Sequence, residues 1–274
     1  MARKIIPATA IDNVGAGNTA VLKLPIGPTI EKIMVSMSAS SGLDIGDIEY
    51  IEVLVNGDSK WKLSLQDLYD LNAYYNRSAD SISGTAGEFM INFLSNQFQD
   101  PAYVLSTGWG TADLSSLEVH FKIKSDAPAS LAISAQLQVD TTPQPLGAFV
   151  AIRQYNKSSS VTGEVDIDSL PKNGPVVMAW HFVKSDITDI EIEANQMKLI
   201  DASKVQLHRF LKDAWPVKRV PVDARMTHVD FLMMGLAGDV FNTKGVTDLL
   251  AKATFGSTGA LKILAETLET LPKI

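Results

Sequence analysis

Hydrophobic and polar positions alternate with a two-residue period over much of this 274-residue chain. Segments that alternate in this way, or run apolar with many Val and Ile residues between Gly, Asp, Ser or Pro, are typical of β-strands. In the first half they span residues 32–38, 48–57, 88–94, 117–124 and 130–139. The pattern therefore predicts a mostly β structure.

One segment of the first half has helical spacing instead. Leu65, Leu68 and Leu71 share one face of a helix that the sequence predicts over residues 64–75. Ser64 fits the N-cap, since its hydroxyl can accept a hydrogen bond from a free backbone N–H of the first turn. Each β unit is thus expected to carry one short helix.

The second half repeats this order of elements. Residues 186–195 match residues 47–56 at an offset of 139, and a helix follows at the same offset with Ser203 in the place of Ser64. A shared order at a nearly constant offset indicates internal duplication, whereas a single strand match would not. We predict an all-β chain of two tandem sandwiches.

The duplication divides the chain into four parts. Proline and polar residues interrupt the pattern after residue 140, which indicates a linker. The predicted parts are an N-terminal arm (1–13), a first β unit (14–140), a linker (141–160) and a second β unit (161–274). The arm is basic and apolar and lies outside the repeat, so we expect it to dock elsewhere.

Composition narrows the classes of function. A hydrophobic fraction of 46% with 20% charged residues is that of a folded protein with a sizeable core. The net charge of −7 disfavours specific nucleic-acid binding. No apolar run is long enough for a transmembrane helix or a secretion signal. With no cysteine there is no disulfide, thiolate nucleophile or cysteine-bound metal, which suits assembly in a reducing cytoplasm.

The glycine-rich segment VGAGN at residues 14–18 is not a phosphate-binding loop. A dinucleotide fingerprint needs a strand before its glycines and a helix after them, so that the pyrophosphate meets a helix N-terminus. Here the segment that follows, TAVLKL, is β in pattern, and no Gly-Lys-Ser/Thr is present. The glycines are interpreted as a turn.

The four histidines do not form a recognisable metal or catalytic motif. His120, His181, His208 and His228 lie at least 20 residues apart, whereas a bicupin-type metalloenzyme needs closely spaced His-x-His and a carboxylate. No Gly-x-Ser-x-Gly elbow is present either. We predict no enzyme; three histidines and an acid converging inside one sandwich would favour the bicupin alternative.

Acidic residues offer one further candidate. Glu164, Asp166 and Asp168 alternate and would share one face of a strand, where calcium could bridge subunits. The preferred interpretation is a solvated strand edge that discourages wrong pairing. No other cofactor is expected.

Four segments carry a resemblance to a known family. NVGAGNTAVLKLPIGPTIEKI near the N-terminus is the most distinctive of them. The others span residues 107–136, 174–193 and 228–241. In this order they resemble the major capsid proteins of corticovirus-type bacteriophages, which are tailless, icosahedral and contain a membrane beneath the capsid.

The resemblance implies a double jelly roll, with two tandem eight-stranded jelly rolls in one chain. It further implies a homotrimer of pseudo-hexagonal outline that tiles an icosahedral shell over an internal membrane. Its partners would be neighbouring capsid trimers and the vertex and minor membrane proteins of the virion, with assembly in the host cytoplasm and no specific nucleic acid. A tandem β-sandwich for carbohydrate binding or adhesion is the alternative outside this family.

No catalytic residue is predicted, so the candidate site residues are contacts. Trp109 and Trp215 lie in predicted loops, where aromatic side chains often anchor an interface. Arg3 and Lys4 give the arm its positive charge, and we expect the arm to face acidic lipid headgroups of the inner membrane.

Overall fold

The computed structural model describes residues 3–40, 42–77, 81–172 and 174–271. The strands of the first half are β1 (Arg3–Pro7), β2 (Thr19–Lys23), β3 (Thr29–Ser38), β4 (Ile48–Val55), β5 (Asp58–Leu63), β6 (Ser81–Ser83), β7 (Ala86–Asn92), β8 (Trp109–Gly110), β9 (Leu117–Ile123) and β10 (Ala132–Asp140). Those of the second half are β11 (Phe149–Ser159), β12 (Gly163–Ile167), β13 (Val176–Val183), β14 (Ile187–Ala194), β15 (Met197–Ser203), β16 (Met226–Asp230), β17 (Phe241–Asn242), β18 (Leu249–Phe255) and β19 (Gly259–Glu269). The α-helices are α1 (Leu65–Tyr74), α2 (Pro101–Ser106) and α3 (Lys204–Lys212).

Each half is a jelly roll with two facing sheets of four main strands each; the short β6 and β8 extend the first roll, and β17 pairs with β13 in the second. In the first roll the strand order is β1-β10-β3-β7 in sheet A and β2-β9-β4-β5 in sheet B. In the second roll it is β11-β19-β13-β16 in sheet A and β12-β18-β14-β15 in sheet B. In each roll the first, eighth, third and sixth of the eight main strands in chain order form sheet A, and the second, seventh, fourth and fifth form sheet B. This confirms the predicted double jelly roll of two eight-stranded units.

The rolls are joined along a sheet edge. β5, at the edge of sheet B of the first roll, pairs in parallel with β11, at the edge of sheet A of the second roll, through Trp61 and Ile152. The Trp61 indole Nε1 donates to the carbonyl of Val150 at 2.7 Å. One continuous sheet thus crosses from roll to roll.

Each core lies between the two sheets of its own roll, because apolar side chains alternate toward the space between them. Trp109 is fully buried in the first core. Its ring centroid lies 4.4 Å from that of Phe93, on which it stacks, and 5.4 Å from that of Phe149, which it meets edge to face. The second core is built around Trp180, also fully buried. Trp109 was a candidate interface residue; with no exposed surface it anchors the core instead. The serine and glycine residues on either side of Trp109 are typical of an exposed loop, so its burial was not predicted.

The predicted helix of residues 64–75 is confirmed, and so is its repeat. Both α1 and α3 begin with a capping box, in which Ser64 or Ser203 accepts from the backbone N–H three residues on. The first roll also contains α2, which was not predicted. It begins at Asp100, whose carboxylate accepts from the Ala102 N–H.

Replacing Ser64 with alanine is expected to lower the free energy of unfolding by about 1 kcal/mol, because the Asp67 N–H loses its acceptor. Urea unfolding followed by tryptophan fluorescence measures this. Ser64→Thr, which keeps the hydroxyl, is the matched control and should stay close to wild type. Equal loss in both variants would contradict a capping role.

The predicted N-terminal arm is corrected by the structure. Arg3–Pro7 forms β1, which pairs antiparallel with β10 from Arg3 opposite Asp140 to Pro7 opposite Gln136. Arg3 also forms an ion pair at 2.7 Å with Glu31, whose side chain is almost wholly buried. The segment is short and begins with two charged residues, so its pattern did not reveal the first strand of the roll.

The predicted linker of residues 141–160 is corrected in its second part. Residues 149–159 form β11, which pairs with β19 at every position from Phe149 opposite Glu269 to Ser159 opposite Gly259. The second half of β11 is polar and serine-rich because it faces solvent at alternate positions. That composition was interpreted as a linker.

Candidate functional site

The two rolls meet along helix α1 of the first roll. One face of α1 packs on its own roll, and the other covers the outer surface of sheet A of the second roll. Leu71 borders a small cavity together with Ile152 and Glu266 of the second roll. Met226 and Leu264 of the second roll belong to the same hydrophobic cluster as the first core. Most of the buried charged side chains among the described residues lie at this contact.

Two adjacent tyrosines at the end of α1 reach into the second roll. The Tyr74 hydroxyl donates to Asp230 Oδ2 at 3.0 Å, and the Tyr75 hydroxyl donates to Glu266 Oε2 at 2.7 Å. Both rings are buried. Burial, with the negative charges of Asp230 and Glu266, raises the pKa of both phenols well above the ordinary value. Both tyrosines therefore remain hydrogen-bond donors.

Arg219 supplies the positive charge of this junction. Its guanidinium is fully buried, and Nε lies 2.7 Å from Asp230 Oδ2. Nη2 donates to the carbonyl of Leu232 at 3.1 Å, and Nη1 donates to the carbonyl of Val217. Burial acts to lower the pKa of Arg219, but Asp230 and the other partners outweigh it, so the pKa is raised. Arg219 thus stays charged.

Three histidines also converge at this junction. His181 of β13 and His228 of β16 are opposite each other in the sheet register, and their Nδ1 atoms lie 2.8 Å apart. The Tyr74 ring stacks on His228 with centroids 4.1 Å apart. His208 of α3 accepts from the His228 backbone N–H at 3.3 Å through Nε2. The three rings lie on the outside of the second roll, between the rolls, and not inside a sandwich.

Hydrogen bonds fix the protons of the pair. His228 Nε2 accepts from the Val222 N–H at 3.1 Å, so the neutral ring carries its proton on Nδ1 and donates it to His181 Nδ1. The remaining proton of His181 is then on Nε2, 3.6 Å from Glu266 Oε1. A relay of polar groups therefore runs from the Val222 backbone to the Glu266 carboxylate.

The titration of these groups follows from their burial. Burial first, and then the neighbouring His181 and His208, lower the pKa of His228 well below its ordinary value. Burial also lowers the pKa of His208, against the opposing effect of Asp223. Burial acts to raise the pKa of Glu266, but His181 and Tyr75 stabilise its anion and the pKa is lowered. Burial thus favours the neutral imidazoles of His208 and His228, while the Glu266 carboxylate keeps its charge.

Salt bridges surround the buried centre. Asp67 of α1 accepts from Lys262, and it lies 3.4 Å from Arg225 Nη2. Asp70, one turn later, pairs with Arg225 Nη1. The acidic side of α1 thus faces a basic side of the second roll, so charge complementarity adds to the packing of Leu71 and the two tyrosines.

This arrangement joins the two rolls through buried hydrogen bonds and ion pairs. Of the ring nitrogens of the three histidines, His181 Nε2 alone lacks a hydrogen bond, and it faces Glu266. No group of three or more His, Cys, Asp or Glu side chains in the described ranges is placed to hold a metal. The three histidines meet outside the sandwich, whereas the bicupin alternative requires histidines and an acid that converge inside one.

The other candidate residues lie apart from this junction. Trp215 is 54% exposed in the loop after α3, so its role as an interface anchor stays a prediction. Lys4 is exposed on β1. Of the acids considered for calcium, Glu164 lies 3.5 Å from Lys252 and Asp168 lies 2.7 Å from Lys157. Calcium at subunit contacts also stays a prediction.

The junction between the rolls was not predicted from the sequence. His181 and His228 are 47 residues apart and meet only through the pairing of β13 with β16. One local signal was available. Apolar or aromatic residues occur nearly all around α1, and a helix of that kind is buried on more than one side. Among the described residues, none of the helices is long and apolar enough to cross a membrane.

Comparison with known families yields two adjoining matches. Residues 5–140 match the model of the viral coat protein P2 N-terminal domain. Residues 149–271 match the model of the viral coat protein P2 C-terminal domain. Together the two models cover nearly the whole chain, and they meet at the segment between β10 and β11.

Individual relatives agree with these matches. The chain is 26% identical over 250 residues to the major capsid protein P2 of Pseudoalteromonas phage PM2, covering 88% of this chain and 86% of that protein. The crystal structure of that bacteriophage PM2 protein superposes with a TM-score of 0.86 at 22% identity, with both chains fully covered. A protein in the atomic structure of Sulfolobus turreted icosahedral virus shares the fold, with a TM-score of 0.71 at 8% identity, over 97% of this chain and 90% of that one.

Proposed function

The chain belongs to the viral coat protein P2 family, and on that premise we propose that three copies form a ring of six jelly rolls which tiles the icosahedral shell of a virion. As a coat protein it is a structural protein of the virion and not an enzyme, and it assembles with other capsid subunits. The ring, the shell geometry and the internal membrane beneath it are the proposed part.

The observation that carries the proposal is the contact between the rolls. It is heterologous, because α1 of the first roll meets sheet A of the second roll rather than its own counterpart. A heterologous contact joins two different surfaces, so the second surface of one roll and the first surface of the other stay free. When the contact is repeated, the rolls close into a ring if the rotation between successive rolls divides a full turn. Two topologically equal rolls in one chain therefore suit a ring with twice as many rolls as chains.

The other proposed partners are the vertex and minor membrane proteins of the virion, with assembly in the host cytoplasm. The contact with the inner membrane was first assigned to residues 1–13, but Arg3–Pro7 is paired with β10 and is no free arm. The proposed contact with the inner membrane is therefore not made by a free N-terminal arm. The absence of cysteine suits a reducing site of assembly.

Light scattering after size exclusion tests the proposal. We expect the purified chain to elute at a mass close to three times 29.6 kDa, and negative-stain images to show particles of hexagonal outline. A chelator such as EDTA in a parallel run tests whether calcium holds the subunits. A monomer at all protein concentrations, in either buffer, would contradict the trimer.

A further inference from the structure

Helix α3 of the second roll is the counterpart of α1, yet one of its faces is uncovered. Both helices begin at a serine capping box and follow the fifth strand of their roll. Phe210 stands at the position of Leu71, which is 1% exposed and borders the cavity that Ile152 and Glu266 of the second roll also line. Phe210 itself is 67% exposed, and Val205 on the same helix is 79% exposed. At this position α3 thus exposes an aromatic side chain where α1 is buried between the rolls.

The surface that would receive α3 is also present, on sheet A of the first roll. In the second roll His181 pairs with His228 on one side and Leu264 on the other, and Tyr74 covers this patch. In the first roll Met34 has the same place in the register, with Met90 and Gln136 as its neighbours. Methionines therefore stand where the second roll has its buried histidine pair.

A groove runs across this patch on the outer face of sheet A. Its volume is about 130 Å³, and it is lined by Ile5, Lys32, Met34, Met90, Gln136 and Gln138. Ile5 of β1 is 72% exposed, which is unusual for isoleucine in a paired strand. Methionine side chains are flexible and polarisable and make favourable contacts with aromatic rings. The groove is suited to an aromatic side chain such as that of Phe210.

Charges at the two surfaces are also complementary, with the signs exchanged. On α1, Asp70 pairs with Arg225 next to β16. At the position of Asp70, α3 carries the exposed Arg209. On the first roll the exposed Glu88 of β7 occupies the corresponding end of sheet A. Inside the chain, the acidic Asp70 of α1 thus faces the basic Arg225. In a contact between copies, the basic Arg209 of α3 would face the acidic Glu88.

The strand edges complete the equivalence. Inside the chain β5, the last strand of sheet B, pairs with β11, the first strand of the next sheet A. The counterparts β15 and β1 both end their sheets, and neither has a second neighbour among the described residues. Met197 of β15 is 66% exposed. Each chain therefore has the two strand edges that a second contact of this kind needs, and they do not pair with each other.

We propose that α3 seats Phe210 in the groove around Ile5 and Met34 of a second copy of this chain, with β15 of the first copy beside β1 of the second. This inference rests on the proposed ring and names its surfaces. The contact between copies then uses the elements that correspond to those of the contact inside each chain, so that six rolls follow one another through alternating internal and external junctions.

Substitution of Phe210 by aspartate tests the contact. Removal of a central aromatic anchor costs at least 2 kcal/mol per contact, so the dissociation constant for each contact should rise by about 30-fold or more. Light scattering over a dilution series measures it, and circular dichroism checks the fold of the separated chain. Val161→Asp is the matched control, since it places the same charge on another exposed apolar side chain (57% exposed), in the turn between β11 and β12, which the proposed contact does not include.

The possible outcomes separate this inference from the proposed function. If wild type is a trimer and Phe210→Asp dissociates while Val161→Asp does not, the contact is supported. If wild type and Phe210→Asp are equally stable trimers, the contact is overturned while the ring remains. If wild type is monomeric throughout, both fail.

A cysteine pair gives a direct readout, because the chain has no cysteine of its own. Oxidation of Met34→Cys/Phe210→Cys with copper–phenanthroline should link copies into covalent dimers and trimers on denaturing gels, and reduction should reverse this. A closed ring of three chains gives no species above the trimer. Met34→Cys/Val161→Cys is the control pair and should remain monomeric. Equal cross-linking of both pairs, or none in the first, would overturn the assignment.

Discussion

Replacement of Arg219 by methionine is expected to lower the free energy of unfolding by about 3–5 kcal/mol, the range for breaking a buried ion pair from one side. Methionine fills much of the space of the arginine stem but leaves Asp230 charged and buried at 5% exposure. Tyr74 would then be the remaining side-chain donor to that carboxylate. The carbonyls of Val217 and Leu232 also lose their donor. The inter-roll junction should open before the cores do.

Urea unfolding of the full chain at fixed concentration, followed by tryptophan fluorescence, measures this loss. Lys218→Met is the matched control, since it removes one positive charge at the adjacent, exposed position. The double variant Arg219→Met/Asp230→Asn removes both charges and should recover part of the stability. A loss below about 1 kcal/mol in Arg219→Met would show that the pair contributes little to the junction.

Acidification below pH 6.5 is expected to destabilise the protein by about 1.4 kcal/mol per pH unit for each histidine that the fold keeps neutral. His228 faces His181, His208, Tyr74 and the positive charge of Lys204, and burial leads in lowering its pKa. The unfolded imidazole binds a proton near its ordinary pKa of 6.5, whereas the folded one does so only at lower pH. The unfolded state therefore binds more protons, and stability falls with pH.

The window of this effect begins near pH 6.5 and extends down to the folded pKa of His228. His208, with its pKa also lowered, adds in the same direction. The contribution of Glu266 is present above its ordinary pKa of 4.5 and is lost only as pH falls through its lower folded value. The loss between pH 6.5 and 5 should therefore come from the histidines, with the carboxylate following in stronger acid.

Unfolding free energies at pH 8, 6.5, 5.5 and 5 give the slope directly. His228→Gln should flatten it by about one proton, that is by about 1.4 kcal/mol per pH unit, even if it lowers stability at every pH. His120→Gln is the control, since His120 is partly exposed beside Glu118 and far from the junction. An unchanged slope in His228→Gln would show that this histidine is not the group that the fold keeps neutral.

Much of the fold could be predicted from the sequence, because its signals are local. The serine caps of α1 and α3 act within three residues, and the offset of 139 places the two helices on each other. β4 and β14 begin at Ile48 and Ile187, which is the same offset. Where a strand alternates and ends at a turn residue, its neighbours in sequence suffice to identify it.

Strands at sheet edges were less accessible to this reasoning. β1 and the second half of β11 carry charged and serine residues on their solvent side, so the apolar alternation that identifies a strand is weak there. Their structure comes from hydrogen bonding to β10 and β19, whose paired residues lie at least 100 positions further along the chain. For Trp109 the reason is the opposite. Its sequence neighbours are typical of a loop, which predicts an exposed side chain, but the indole lies in the core.

By itself the sequence determined the duplication, the shared order of several strands and one capped helix in each half, and the resemblance to capsid proteins. Which faces meet was decided only by the tertiary structure. The Tyr75–Glu266 hydrogen bond joins residues 191 apart, and the His181–His228 pair depends on the register of β13 against β16. Local patterns report whether a side chain is apolar, but the choice of its neighbours depends on how two sheets and a helix pack, which no short stretch of sequence encodes.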